Sequence, residues 1–408
     1  MRRWLAIERY CINCVDTNSG ISVRPYIGEG QDRRLDDVIF DGYTAGPSTL
    51  LDRNPSFIGS PSFRLSPSSG MTITELLLSL FAVVLAAACS ACLTWALQPL
   101  LLRYALARPN ARSSHRIPTP QGAGIAVIAA TLLVAGAIIA CAGTTDPKIL
   151  GAVFGASLFM AVVGFADDLK SLPVSLRLTL QALAIGAILF TASGTLRIVP
   201  SWPLWIERGL LLFAGLWFVN LVNFMDGLDW MTVAEVVPIT GAMIVLGSLG
   251  EFPASTTVVA AALCGAMVGF APFNRPVAKV FLGDVGSLPI GLLLGWCLLE
   301  LAFRQHVIAA LLLPLYYLAD ATVTLLRRMI RREPFWTAHR SHFYQRATDN
   351  GFSVPQVVGE VFALNLVLAA LAIASTTADS VMVSILSLLA GAVAVTLILW
   401  RFSERRSP

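Results

Sequence analysis

From Met71 onward the chain is a series of apolar runs about twenty residues long, separated by short polar stretches. The first reads ITELLLSLFAVVLAAACSACLTWAL over 73–97. A run of that length is what an α-helix needs to cross the hydrocarbon of a bilayer. In hydrocarbon the helix also satisfies its own backbone donors and acceptors. Strands of a membrane barrel would alternate polar and apolar residues over about ten positions, and that pattern is absent. Only 13% of the residues are charged, against about 25% in ordinary soluble domains. The fold class expected is therefore all-α, a polytopic integral membrane protein. Eleven spans are expected, at 73–97, 122–142, 149–166, 176–193, 207–224, 232–249, 255–272, 286–303, 307–326, 357–375 and 380–400.

Residues 1–70 differ in kind. They hold eight Arg and eight acidic residues and end in the Ser- and Pro-rich NPSFIGSPSFRLSPSSG. Such a composition buries little apolar surface and is expected to be disordered. Met71 opens a natural membrane-protein start, so 1–70 reads as an upstream extension and 71–408 as the membrane domain. Cys11 and Cys14 form a C-x-x-C with no second pair or His nearby, and no metal or redox role is expected. The other five cysteines sit in apolar runs as small core residues.

Charge in the loops sets the orientation. One alternate set of loops holds seventeen Lys and Arg, among them Arg177, Arg275, Lys279, Arg328 and Arg340, and the other set holds four, Lys148, Arg197, Arg208 and Arg304. The rich set is assigned to the cytoplasm. All the notable acids fall on that side. Asp167 and Asp168 close the third span, Asp226 and Asp229 follow the fifth, and Asp284 precedes the eighth.

Five stretches on this face carry chemistry: SSHRIPTPQGAG (113–124), GFADDLKS (164–171), NLVNFMDGLD (220–229), NRPVAKVFLGDVGS (274–287) and HRSHFYQR (339–346). They contain every His of the chain except His306. Clustered carboxylates suit a hard cation such as Mg²⁺, which neutralises phosphate oxygens. Arg offers those oxygens a fork of donors.

Together the five stretches resemble the motifs of the polyprenyl-phosphate N-acetylhexosamine-1-phosphate transferases, over about residues 75–400. The most specific parts are N-x-x-N-x-x-D-G-x-D and F-L-G-D-x-G-S. The resemblance implies that Asp167, Asp168 and Asp226 serve the catalytic centre and the lipid phosphate. It implies that Asn223 and Asp284 hold Mg²⁺, or Mn²⁺ in its place. Asp229 would contact the nucleotide, Asn274 and Phe281 the uracil, and His339, Arg340 and His342 the diphosphate and sugar. His115 and Thr119 match the family's H-x-x-P-T-P loop. The partners implied are undecaprenyl phosphate, a UDP-N-acetylhexosamine and the bilayer, in a bacterial inner membrane with the active site facing the cytoplasm. A homodimer is compatible with this, and no nucleic acid is expected.

Two departures refine the match. Trp230 stands where many members have Gly. The H-R-S-H-x-Y-Q-R loop resembles the branch that initiates O-antigen and related lipopolysaccharide synthesis, whereas the peptidoglycan branch carries consecutive histidines there. The alternatives are a phospho-muramyl-pentapeptide transferase and, in a different class, a secondary transporter with acids at the membrane midplane and two related halves. Asp320, inside the ninth span, is costly to bury and is expected to be functional or paired.

Overall fold

In a computed structural model of the chain, residues 73–104, 106–107, 119–142, 147–334, 339–378 and 380–406 are described. The expectations for residues 1–70, for Cys11 and Cys14, and for His115 lie outside the described residues. In order, the elements are α1 (Ile73–Tyr104), β1 (Leu106–Ala107), β2 (Thr119–Pro120), α2 (Gly124–Ala142), α3 (Pro147–Leu169), α4 (Val174–Thr191) and α5 (Leu204–Met225). Then follow α6 (Met231–Ser248), α7 (Ala254–Phe270), α8 (Asp284–Phe303), α9 (Val307–Leu312), α10 (Leu315–Ile330), α11 (Phe343–Asp349), α12 (Val354–Thr377) and α13 (Val381–Ser403).

Among the described residues nine helices are long and apolar enough to span a membrane. All eleven expected spans fall on helices, and two differ from the expectation in form. The seventh, α7, has only 17 residues and is buried along almost its whole length. The ninth is not continuous: Leu313 and Pro314 separate α9 from α10. Proline has no N–H to give to the preceding turn, and α10 begins directly after it.

Burial follows position in the bundle. In α8, 83% of the most apolar window is inside the protein, against 17% in α13. An apolar helix that is buried all round belongs at the centre, and α8 packs against α2, α3, α5 and α9. The outer surface of α13 instead presents Leu386, Leu389, Val393 and Leu397, the residues a lipid environment requires.

The first turn of α8 is reached by close backbone approach. A Cβ built on Gly164 would lie 2.2 Å from the carbonyl oxygen of Asp284, and one on Gly124 would lie 2.2 Å from Cα of Gly286. Only glycine permits such contacts, so α2 and α3 close tightly on the start of α8. The segment before α2 adds a ladder. Leu106 and Ala107 pair antiparallel with Pro120 and Thr119, and Phe281 N–H donates to the Pro120 carbonyl at 2.8 Å. The amides of Gly122 and Ala123 return to the Phe281 carbonyl.

Candidate functional site

Asp167 and Asp168 end α3 and do different things. Asp167 accepts Leu172 N–H at 2.6 Å and forms an ion pair with Arg177 at 2.7 Å. Asp168 accepts the backbone N–H groups of Asp284 at 2.9 Å and Val285 at 3.0 Å, together with the side-chain amide of Gln121. The carboxyl groups of Asp167 and Asp284 face each other within hydrogen-bonding reach. Three elements therefore converge on the N-terminus of α8, whose unpaired amides favour negative charge.

The end of α5 supplies the other side. Asn223 Nδ2 donates to Asp284 Oδ1 at 2.7 Å and to Ser287 Oγ at 2.9 Å. Asp226 lies just past the helix and accepts the Thr232 hydroxyl. Burial pushes the Asp226 carboxyl up to about 6; the charges of Asp168 and Asp229 add to this, and the Thr232 hydroxyl opposes it.

Asn223, Asp226 and Asp284 line a cavity of about 490 Å³, whereas Asp167 and Asp168 are not among its lining residues. Its polar lining is Arg177, Asn220, Asn223, Asp226, Asp284, His339 and His342, and its apolar lining includes Val174, Leu178, Phe213, Leu216, Trp217 and Leu325. Trp217 also lines a neighbouring cavity of about 290 Å³ whose walls are almost wholly apolar, including Ile185, Ile188, Leu211, Phe218 and Leu292.

The nucleotide-side residues named from the sequence form a separate joint. Asp229 is buried, and its Oδ2 accepts Ala278 N–H at 3.0 Å. Asn274 is also buried; it accepts Trp230 N–H at 2.7 Å and donates to the Val280 carbonyl at 3.1 Å. Trp230 itself has φ 67°, a left-handed conformation that glycine adopts freely. Its indole Nε1–H donates to the Ala271 carbonyl at 2.6 Å, which holds the ring in place. Phe281 is half-buried beside Gln121. None of these four lines the 490 Å³ cavity.

The basic loop divides likewise. The rings of His339 and His342 lie 5.0 Å apart, and both face the cavity. Arg340 instead reaches Thr348 at 2.9 Å and Asp349 at 3.4 Å, and is not among the lining residues. Thr119 is buried in the strand ladder, also away from the lining. Sequence reasoning counted Arg177 only as a loop charge; its pairing with Asp167, ten positions away, could not be seen without the turn between α3 and α4.

Among the described residues no three His, Cys, Asp or Glu side chains form a ready-made metal cage. Mg²⁺ does not require one, since it is usually held by one or two carboxylates with phosphate oxygens and water. Asp284, the amide of Asn223 and the nearby Asp167 and Asp226 are hard oxygen donors, and this set fits such an ion.

Comparison with known proteins gives consistent matches. Glycosyl transferase family 4 matches residues 150–302. The chain is 26% identical over 290 residues to a probable undecaprenyl-phosphate N-acetylglucosaminyl 1-phosphate transferase of Bacillus subtilis, covering 64% of this chain and 76% of that one. It is 31% identical over 243 residues to a phospho-N-acetylmuramoyl-pentapeptide-transferase of Geobacillus kaustophilus, covering 52% and 72%. A protein of the same description from Streptococcus gordonii is 28% identical over 224 residues, covering 51% and 67%.

Proposed function

This chain belongs to the polyprenyl-phosphate hexosamine-1-phosphate transferases, and from that premise we propose that it moves N-acetylhexosamine 1-phosphate from a UDP-sugar to undecaprenyl phosphate, releasing UMP. The observation that carries this reading is a single cavity with two chemistries. Acids, amides and histidines share its lining with apolar side chains, and Trp217 also lines the almost wholly apolar neighbouring cavity. A lipid phosphate needs such a site, with its head among polar groups and its tail among apolar ones.

In the reaction an oxygen of the lipid phosphate attacks the β-phosphorus of the UDP-sugar. The bond from that phosphorus to the bridging oxygen breaks, and UMP leaves with that oxygen. The second ionisation of a phosphate monoester lies near 6, so the nucleophile is already largely anionic at neutral pH. Asp167, held by Arg177 and the Leu172 amide, would therefore orient Arg177, which lines the cavity, toward the lipid phosphate more than abstract a proton. The harder task is bringing two anions together, which is a matter of positioning and charge neutralisation. Asn223 and Asp284 would hold Mg²⁺, or Mn²⁺, which when bound neutralises diphosphate oxygens. His339 and His342 line the same cavity and would contact the diphosphate and sugar there.

The positive loops support a site on the cytoplasmic face of a bacterial inner membrane. The H-R-S-H loop supports O-antigen or related envelope polysaccharide as the product pathway. The test uses membranes carrying the chain, undecaprenyl phosphate, and UDP-GlcNAc, UDP-N-acetylfucosamine, UDP-N-acetylquinovosamine and UDP-N-acetylmuramoyl-pentapeptide, with and without Mg²⁺. The expected result is Mg²⁺-dependent UMP release with one of the three hexosamines. Turnover of the muramoyl nucleotide alone would move the chain to the peptidoglycan branch. Solute counterflow in liposomes without UMP from any donor would favour a transporter.

A further inference from the structure

One fully buried carboxylate has no part in the reaction just described. Asp320 sits in α10 at 0% exposure. A charge in that position is costly unless it is paired and fully hydrogen-bonded. From its own helix, Tyr316 Oη donates to Oδ2 at 3.1 Å and Thr324 Oγ1 to Oδ1 at 3.4 Å. The remaining partners come from the entry to α11. Phe343 N–H donates to Oδ1 at 2.9 Å and Tyr344 N–H to Oδ2 at 3.1 Å. His342 Nδ1 lies 3.3 Å from Oδ1. Three consecutive residues of the basic loop are thus clamped to one buried side chain of α10.

The clamp decides what His342 offers. A carboxylate facing Nδ1 favours a proton there, which would leave Nε2 for the cavity that the ring lines. The rings of Tyr344 at 5.8 Å, His339 at 5.0 Å and Phe224 at 6.5 Å restrict any other orientation. A carboxylate behind a histidine commonly fixes tautomer and direction in this way, both in metal sites and in hydrolytic triads.

We infer that Asp320 is the positioning residue of the basic loop, fixing the tautomer and aim of His342 and pinning Phe343 and Tyr344 so that the imidazole edge meets the transferred phosphate. This rests on the reading above, in which His342 serves the diphosphate.

The test uses full-length protein in lipid nanodiscs with ¹⁵N-labelled histidine, the His342 signals being identified by their loss in His342→Ala. The expected wild-type ring is protonated at Nδ1. In Asp320→Asn, where an amide NH₂ would face backbone donors, the Nδ1 proton is expected to be largely lost to Nε2. A wild-type His342 protonated only at Nε2 overturns the proposal, even if the variant does not fold. So does a variant spectrum identical to wild type.

The rate gives a second readout. Asp320→Asn is expected to lower kcat on the order of 100-fold, within the usual worth of a positioned acid–base group. In a His342→Ala background the same change is expected to cost less than about threefold, because residues acting through one another are not additive. Equal losses in both backgrounds would mean a purely structural role and overturn the proposal. The spectrum requires no substrate. A correct tautomer with no UMP release from any donor therefore fails the transferase reading alone, whereas UMP release with the wrong tautomer fails the clamp alone.

Discussion

Asp168, the last acid of α3, accepts the backbone N–H groups of Asp284 and Val285, at 2.9 and 3.0 Å and more than a hundred positions away in sequence. One side chain of α3 thereby caps the first turn of α8 and sets the direction of Asp284. Asp168→Ala is expected to lose about 1–2 kcal/mol of stability, as for other cap removals. It is also expected to lower sugar-1-phosphate transfer on the order of 100-fold, through displacement of Asp284 by an ångström or so. Asp168→Asn, which keeps one acceptor oxygen, should fall between. Thermal midpoints in detergent and UMP release check both, and wild-type turnover in Asp168→Ala would contradict the arrangement.

Gly164→Ala tests the same junction without touching a charge. The added methyl would lie 2.2 Å from the Asp284 carbonyl oxygen and 2.4 Å from its carbon, so α3 and α8 must separate. Overpacking of this kind costs about 1–3 kcal/mol. Activity is expected to fall as far as in Asp168→Ala. Gly151→Ala, on the same helix with open space around it, should leave both stability and turnover unchanged.

Trp230 offers a comparison between two small residues. Both Trp230→Gly and Trp230→Ala lose the indole bond to Ala271, but only Ala keeps a Cβ at φ 67°. The glycine variant is expected to be the more stable of the two by about 1 kcal/mol, the usual penalty for a left-handed non-glycine residue. Equal thermal midpoints would show that the loop relaxes away from that conformation.

Much of this molecule is legible in its sequence, for identifiable reasons. Apolar runs of membrane-spanning length leave the backbone no alternative to helices, so each expected span falls on one. The break at Pro314 was also readable, since proline removes a donor, yet the hydropathy of 307–326 runs through it undiminished. The motifs single out the acids, but not their partners. Asp168 is held by amides far away in the chain, and Arg177 by a turn that pairs it with Asp167. The resemblance implies a base-binding role for Asn274, yet here it spends its amide on Trp230 and Val280. That choice depends on a backbone angle that no spacing reveals.

Asp226 gives the site a pH dependence. Its carboxyl is pushed up to about 6, so it holds a proton at pH values where an ordinary Asp is charged. As pH falls through 6, the cavity loses one negative charge and its hold on a divalent cation weakens. The Mg²⁺ concentration for half-maximal rate is expected to rise severalfold between pH 7 and pH 5. In Asp226→Asn the rise should be smaller, leaving only the part due to the lipid phosphate, whose second ionisation also lies near 6. A flat requirement in the wild type would contradict this assignment.

The position of the transferred phosphorus tests the central claim most directly. UDP-N-acetylhexosamine labelled with ³²P at the β-phosphate alone, supplied with undecaprenyl phosphate and Mg²⁺, should deliver its label to the lipid product and leave the released nucleotide unlabelled as UMP. Label recovered in UDP, with the sugar on the lipid but no label there, would mean attack at the sugar carbon and would contradict the account.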